Sequence, residues 1–310
     1  LAADGTNGSR LPLPSGGKDS GIEVTLKIRP SGQEIADRAL SNTHLVEVVA
    51  AVEAEGFCVL QQVVPHRVLD GLQTRMAADT VQLLEFLEAN GGNPRARGHL
   101  QQGPPPYPEY VFPEVVINSF AVQVAKKMLG EHAFLSFYNG NTNCPGSKLQ
   151  HVHLDGSHIW PHWEIATPTC SLVINVPPAD CTLDNGAIEL WPGTHRVSGR
   201  YDGGVKDSLL EERRKDTPPV QVTTQKGDLL IRDVRLWHRG VPNESNEARQ
   251  MIAMVYVASF MKKSRKLKFQ TGCEEALETG AFDVNAEYTK ESIDYLFGPS
   301  KAMYESQAAN

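Results

Sequence analysis

The chain has 310 residues, of which 40% are hydrophobic and 22% charged, as in an ordinary globular protein. Thirty Lys and Arg residues against 37 Asp and Glu residues give a formal net charge of −7, which excludes a broadly basic surface for nucleic acid. No run of about 18 apolar residues occurs, so a transmembrane helix is excluded as well. The five cysteines lack CxxC spacing, which argues against a disulfide framework, and we expect a reducing, cytoplasmic setting.

The first third of the chain is predicted to be helical after a polar start. Residues 1–21 are rich in Gly, Ser and Asp, and we expect them to be disordered. Apolar residues recur at helical spacing over residues 31–56, 65–90 and 113–129, which predicts three helices. The apolar, β-branched segment 57–64 predicts a strand between the first two helices.

A long loop is predicted between the second and third helices. Residues 91–110 contain Gly-Gly, Asn-Pro and Pro-Pro-Pro turn signals. Loops of this length inside a compact domain are usually functional or disordered. We therefore interpret the segment as a lid that excludes water from the site.

After Gly130 the pattern changes to short apolar strands separated by turns. Signals such as Asn185-Gly186 and Lys226-Gly227 mark these turns. Many short strands of this kind are typical of a sandwich, a barrel or a jelly roll. The predicted strands are residues 133–139, 171–176, 187–190, 219–224, 228–231 and 251–258.

The order of these elements predicts one domain over residues 22–310, of the α+β or mainly β class. A helical part covers about residues 31–130, and a β core covers about residues 131–260, with no obvious linker between them. Helical character returns weakly towards the end of the chain, and we assign a C-terminal helical segment to about residues 274–310.

Four of the ten histidines lie close together, at His151, His153, His158 and His162. Side chains two residues apart share a face of an extended strand, so His151, His153 and Asp155 can point to the same side. Two imidazoles and one carboxylate leave three positions open on Fe(II), for a cosubstrate and dioxygen. His-x-Asp alone is a weak signal because it arises by chance, so a further ligand on a later strand is required.

A later segment supplies that histidine. Residues 227–240 are Gly-Asp-Leu-Leu-Ile-Arg-Asp-Val-Arg-Leu-Trp-His-Arg-Gly, a turn and an apolar strand that lead to His238. Further along, Arg249 opens another apolar strand. A buried guanidinium without a partner is costly, so Arg249 requires an anion, and a dicarboxylate could bind it in a bidentate pair.

These motifs, in this order, resemble the phytanoyl-CoA dioxygenase (PhyH-like) family of Fe(II)- and 2-oxoglutarate-dependent oxygenases. The resemblance extends over about residues 45–259, and within the family it is to tailoring dioxygenases of the kanamycin B type. The matching segments are Gln150-His-Val-His153-Leu-Asp155, Asp184-Asn-Gly-Ala-Ile-Glu-Leu-Trp-Pro-Gly-Thr-His195, Gly227-Asp-Leu-Leu-Ile-Arg-Asp233, Leu236-Trp-His238 and Arg249.

The resemblance implies a double-stranded β-helix, a cupin-like jelly roll, with the N-terminal helices packed on it. It also implies that Arg249 pairs with the distal carboxylate of 2-oxoglutarate and that Gln150 contacts this cosubstrate. Some relatives carry a hydroxyl group two residues after the distal histidine, where this chain has Gly240. The implied Fe(II) ligands are His153, Asp155 and His238.

Four further residues are predicted to contact the substrate. Asn139 and Asn141 alternate, with Asn143, along a strand that is expected to enter the site. His158 follows the segment with the first two ligands, and Trp237 directly precedes the distal histidine. Both are therefore interpreted as residues of the substrate pocket.

The function that the resemblance implies is the oxidation of a small organic metabolite, with dioxygen as the oxidant, in secondary metabolism. Hydroxylation, desaturation and ring formation all remain open as outcomes. The expected partner is this small molecule, and neither nucleic acid nor a membrane. A homodimer is compatible with the sequence.

Two other functions remain open. A cupin-like enzyme that does not use 2-oxoglutarate could take His151 and His153 as ligands, but its motif requires a glutamate about four to six residues after the second histidine. Residues 157–159 are Ser-His-Ile, so this match fails. A non-catalytic jelly-roll binding module would have no use for Asp155 and Arg249.

Overall fold

The protein is represented by a computed structural model that describes residues 26–90, 98–201, 204–261 and 265–298. The start of the chain, predicted to be disordered over residues 1–21, lies outside the described residues. In the part that is described, no helix combines the length and the apolar character needed to cross a membrane.

The N-terminal part is helical, as predicted, but two of the three predicted helices are divided. The segment 31–56 breaks at Arg38, whose φ of 53° ends the first helix, and Ser41 caps the next one by accepting a hydrogen bond from a backbone amide. Asn118 caps a new helix inside the segment 113–129 in the same way. The helices are α1 (Gly32–Asp37), α2 (Asn42–Glu55), α3 (His66–Ala89), α4 (Pro113–Val116) and α5 (Ser119–Leu129).

Short strands dominate after α5, and the predicted strand at residues 171–176 is confirmed at both ends. Two further helices, α6 (Asp207–Asp216) and α7 (Glu274–Leu277), lie between strands. The strands are β1 (Lys27–Ile28), β2 (Phe57–Leu60), β3 (His99–Gln101), β4 (Phe134–Asn143), β5 (Ser171–Val176), β6 (Glu189–Leu190), β7 (Val220–Gln221), β8 (Leu229–Asp233), β9 (His238–Arg239), β10 (Arg249–Val257), β11 (Leu267–Gln270), β12 (Asp283–Val284) and β13 (Ala286–Thr289).

The strands form one large sheet and two small ones. The large sheet has the order β1-β2-β8-β5-β10-β4-β12, with β3 paired to β4. A three-stranded sheet has the order β7-β6-β9, and β11 pairs in parallel with β13. The result is a mixed α/β fold, in which residues from both the large and the three-stranded sheet line one cavity.

One face of the central strand β10 packs in the core, and the other face lines the cavity. Ile252 and Met254 are fully buried against the helices, whereas Met251 and Ala253 line the cavity. This is the period of two that a strand imposes on its side chains. The helices α2, α3 and α5 therefore cover one face of the large sheet and leave the other face for the site.

The predicted lid is wrong for the part of residues 91–110 that the structure describes, residues 98–110. Strand β3 pairs antiparallel with β4, and Gln102 is 2% exposed. Its Nε2 donates to the carbonyl of Met76 at 2.7 Å, and its Oε1 accepts from the hydroxyls of Thr80 and Thr142. The segment is held in place because it completes the edge of the sheet.

The C-terminal helical segment predicted at about residues 274–310 is also wrong over most of its described length. After the four-residue helix α7, the chain forms β12 and β13, and residues 290–296 contain no helix. Tyr295 fixes this region because its hydroxyl donates to Asp79 at 2.7 Å and accepts from Arg75 at 2.8 Å. Pairing and anchoring over long range thus override a weak local helical pattern.

Gly56, the residue that ends α2, gives a test of how the helices are packed onto the site. Its φ is 87°, and a Cβ there would lie 2.6 Å from Leu236 Cδ1 and 2.7 Å from His195 Nδ1. Both neighbours are buried. We expect Gly56→Ala to lower the free energy of unfolding by roughly 2–4 kcal/mol, through left-handed strain and overpacking, as measured by urea denaturation.

The matched control is Gly71→Ala, in the middle of α3. Apart from its chain neighbours and the nearby backbone of α3, no atom lies within 4 Å of a Cβ at this position, so alanine should raise the free energy of unfolding by about 0.5–1 kcal/mol. Effects of the same sign in the two variants would contradict the described packing around Gly56.

Candidate metal centre and cavity

Backbone pairing brings the three predicted metal ligands together. His153 and His238 face each other in an antiparallel bridge, in which each amide donates to the carbonyl of the other residue, at 2.9 and 3.0 Å. The amide of Asp155 donates to the carbonyl of Val234 at 3.1 Å. One ligand atom from each of the three side chains lies within 4.8 Å of the others.

The two imidazoles are oriented by backbone carbonyls. His153 Nδ1 lies 2.9 Å from the carbonyl oxygen of His151, and His238 Nδ1 lies 2.9 Å from that of Leu236. A carbonyl oxygen only accepts, so both Nδ1 atoms carry the hydrogen, and in the neutral form of each ring the lone pair is on Nε2. Burial lowers the pKa of His153, and the neighbouring His238 lowers it further. The neutral ring is the form that binds a metal.

The third member of the cluster, Asp155, is negatively charged. Burial raises the pKa of its carboxyl group, but the Arg232 guanidinium and His238 outweigh this effect and hold the pKa well below its usual range. Asp155 Oδ1 lies 3.4 Å from His238 Nε2. Two imidazoles and one carboxylate form the donor set that suits Fe(II) with positions left open.

The cluster faces a cavity of about 540 Å³, a size typical of small-molecule sites. On β10, its wall begins at Arg249 and continues through apolar side chains such as Met251 and Val255. Leu230, on β8 of the same sheet, and Ile188, which precedes β6 of the three-stranded sheet, add further apolar wall. The cavity is therefore polar around Arg249 and around the ligand cluster with Arg232, and apolar along much of the remaining wall.

Arg249 lies in the cavity wall, 7% exposed, and its positive charge is not neutralised by its described partners. Its Nη2 donates to the carbonyl of Gly186 at 2.9 Å, and its Nη1 lies 3.5 Å from Asn141 Oδ1. Both partners are uncharged oxygen atoms, and Nε is buried without a hydrogen bond. A dicarboxylate in the cavity would fit this guanidinium.

Gln150 lies beside the distal histidine strand and lines the cavity. Its side-chain Oε1 accepts a hydrogen bond from the backbone amide of Gly240 at 2.8 Å, and the backbone amide of Gln150 donates to the carbonyl of Gly240. The glutamine oxygen is therefore engaged by the protein, and its Nε2 group is the donor left to contact a cosubstrate.

His99 is a cavity residue to which the sequence assigned no role. A Cβ at Gly240 would lie 2.6 Å from His99 Cε1, so the imidazole fills the space that a side chain at position 240 would need. His99 Nε2 lies 2.7 Å from the carbonyl oxygen of Lys148, and burial lowers the pKa of the ring, with Arg249 lowering it further. The signal in the sequence that could have pointed to His99 was the glycine at position 240, which leaves space for the ring.

Of the asparagines predicted to lie along the strand that enters the site, one lines the cavity. Asn141 lines the cavity. Asn139 does not line the cavity, because its side chain packs against Gly103 and its Oδ1 accepts a hydrogen bond from the backbone amide of Gly140 at 2.8 Å. Asn143 is fully buried, and its Nδ2 donates to a backbone carbonyl at 2.9 Å.

His158 and Trp237 do not line the cavity, which corrects their prediction as substrate contacts. Trp237 is 1% exposed and packs against Trp191 and Tyr201, and His158 packs against the same tyrosine. The reason is the alternation of side chains on a strand. Because His238 points into the cavity, the preceding tryptophan points away from it.

Comparison with known proteins decides the family. The family model of phytanoyl-CoA dioxygenase (PhyH) matches residues 52–251, which is more than half of the chain. The chain belongs to this family. The family predicted from the sequence motifs is therefore confirmed.

Individual relatives are more distant. The curated protein "Dioxygenase af480" of Aspergillus fumigatus is 24% identical over 151 residues, which cover 47% of this chain and 44% of that protein. The chain thus matches less than half of the length of this relative.

Two solved structures share the fold. The non-heme alpha ketoglutarate dependent carbocyclase SnoK from nogalamycin biosynthesis has a TM-score of 0.52 at 17% identity, covering 74% of this chain and 87% of its own. EctD from S. alaskensis, in its apoform, has a TM-score of 0.51 at 21% identity, covering 71% of this chain and 77% of its own. At these identities the likeness is one of fold.

The contact between Gly240 and His99 predicts that substitutions at the two positions are coupled. We expect Gly240→Ala to lower the free energy of unfolding by roughly 1–3 kcal/mol through overpacking. In a chain that also carries His99→Ala, the ring is absent and the added methyl group should cost less. A double-mutant cycle by chemical denaturation should give a coupling of at least about 0.5 kcal/mol. Additive effects would mean that the two residues are not in contact.

Proposed function

We propose that the chain is an Fe(II)- and 2-oxoglutarate-dependent dioxygenase that oxidises a small organic metabolite. The observation that carries the proposal is that the cluster of His153, Asp155 and His238 shares one cavity with Arg249, a buried cation with no charged partner among the described residues. Membership of the phytanoyl-CoA dioxygenase family supports the reaction class. We also propose that the large and the three-stranded sheet are the two faces of a double-stranded β-helix.

The residues of the cavity divide the work of binding. His153 Nε2, His238 Nε2 and Asp155 would hold the ferrous ion, while Arg249 would pair with the distal carboxylate of 2-oxoglutarate. The Nε2 group of Gln150 is available as a further donor to it. When bound, iron and 2-oxoglutarate supply the activation of dioxygen and the oxidising power for attack on a C–H bond.

The protein itself contributes position and exclusion of water. The backbone carbonyls of His151 and Leu236 fix the imidazoles, so neither ring needs to reorganise on metal binding. The apolar wall formed by residues such as Ile188, Leu230 and Met251 keeps water away from the reacting groups.

The alternatives account less well for the cavity. A cupin-like enzyme without 2-oxoglutarate and a non-catalytic binding module both leave the charge of Arg249 unexplained. The likeness to a carbocyclase from nogalamycin biosynthesis supports a role in secondary metabolism and keeps ring formation among the outcomes, with hydroxylation and desaturation. The net charge of −7 favours a small-molecule partner over a polyanion.

The assignment of Arg249 is tested by Arg249→Ala. Loss of a buried charge partner should weaken 2-oxoglutarate binding by at least about 100-fold, while Fe(II) binding is retained. Anaerobic calorimetric titration of the protein with Fe(II) measures the metal affinity, and titration of the Fe(II) protein with 2-oxoglutarate measures the cosubstrate affinity. Arg67→Ala, which removes an exposed ion pair with Glu114, is the control and should bind 2-oxoglutarate like the unmodified chain. Unchanged affinity in the Arg249 variant would sink the cosubstrate assignment.

The metal ligands are tested by a pair of substitutions four residues apart. Asp155→Ala removes the only carboxylate of the cluster and should weaken Fe(II) binding by at least about 100-fold. His151→Ala should leave the affinity unchanged, because His151 orients the cluster through its backbone carbonyl and its side chain is exposed. Anaerobic Fe(II) titration checks both variants. Equal loss in the two variants would contradict the ligand set.

A further inference from the structure

Arg232 is a buried cation directly beside the candidate metal centre. It lies on β8, where Ile231 faces the core and Leu230 and Arg232 face the cavity. Its side chain is 5% exposed and forms an ion pair through Nη2 with Asp155 Oδ2. A positive charge next to a site for a metal cation opposes metal binding by simple Coulomb repulsion. Its presence therefore requires another explanation.

The guanidinium is held in place from the neighbouring strand. Arg232 Nε donates to Asn175 Oδ1 on β5 at 3.1 Å, and Asn175 is 4% exposed. The third nitrogen, Nη1, is buried and has no hydrogen-bond partner among the described residues. The guanidinium is thus held by one contact with Asn175 and one with Asp155, a residue of the ligand cluster, and these two contacts point to a role at the site.

The two oxygens of Asp155 are consequently in different situations. Oδ2 is taken by the guanidinium, in a charge-assisted hydrogen bond, which is among the strongest that a carboxylate makes. Oδ1 faces the imidazole nitrogen of His238 at 3.4 Å and belongs to the ligand cluster. A carboxylate that is free on both oxygens can bind a metal through either one or both.

We propose that Arg232 is a positioning residue that limits Asp155 to a single metal-binding oxygen, and that Asn175 holds Arg232 in the orientation needed. This inference rests on the proposed function, because it concerns the coordination positions that an oxygenase must keep open. With two imidazoles and one carboxylate oxygen from the protein, three of six positions stay available. A second oxygen from Asp155 would occupy one of them.

The proposal makes a prediction that a merely structural residue does not share. Arg232→Met removes the guanidinium and keeps an unbranched side chain of similar length. Asp155 is then free to bind through both oxygens, so metal affinity should be kept or increased, while one coordination position is lost. A residue needed only to hold the site together would instead weaken metal binding when it is replaced.

The experiment counts the water molecules on Mn(II) bound to the full chain, by water-proton relaxation. About three waters are expected for the unmodified protein and about two for Arg232→Met. Arg232→Lys retains a cation that can bind Oδ2 and should return the count to about three. Asn175→Ala should give a value between the two, because Arg232 loses its second anchor.

The matched control is Arg235→Met. Arg235 is a buried arginine three residues further on, paired with the carboxylate of Asp233, which is not a metal ligand. Its replacement removes the same charge and should leave the water count at about three. The comparison therefore separates the contact with Asp155 from the general effect of losing a buried cation.

The outcomes are distinct. A count of three waters in both the unmodified protein and Arg232→Met, or loss of Mn(II) binding in that variant and in Arg232→Lys alike, overturns the role of Arg232 and leaves the proposed function standing. If Arg232→Met does not fold, the Arg232→Lys and Asn175→Ala variants decide, and unchanged counts in the asparagine variant count against the proposal. Absence of Mn(II) binding by the unmodified chain overturns the proposed function as well.

Discussion

The antiparallel bridge between His153 and His238 is the interaction on which the site depends. It joins two segments that are distant in the sequence, and the same few residues supply both the backbone pairing and the ligand nitrogens. The carbonyls that accept from each Nδ1 belong to residues two positions earlier in the two segments. The hydrogen bonds of the chain itself thus fix the orientation of the two candidate ligand nitrogens before any ion binds.

Charge is distributed unevenly around the cavity. Arg249 and Arg232 are both buried in its wall, and Asp155 is the one carboxylate among the described wall residues. The pairing of strands places Arg249 at the start of β10 and Arg232 opposite Val173, which pairs with Val255 near the other end of β10. The two cations therefore lie towards opposite ends of the cavity, where they can act on different partners.

Much of this architecture could be predicted from local patterns. The strand at 171–176 is a continuous apolar run between turns, and the three residues that the family resemblance implies as metal ligands do lie together. The interpretation failed where the decisive contact is distant in sequence. His99 has meaning only against Gly240, Trp237 faces away because His238 faces inward, and the helical segment near Tyr295 is overridden by its bonds to α3.

The two-faced strand β10 links assembly of the core to assembly of the site. Ile252 and Met254 pack between the sheet and the helices only in the register that turns Arg249, Met251 and Ala253 towards the cavity that contains the candidate metal ligands. A slip of one residue would exchange the two sets and put a guanidinium into the hydrocarbon core. A misaligned sheet would leave apolar side chains of the core unburied and is therefore unstable. The register that buries the core is the same register that places the cavity residues correctly.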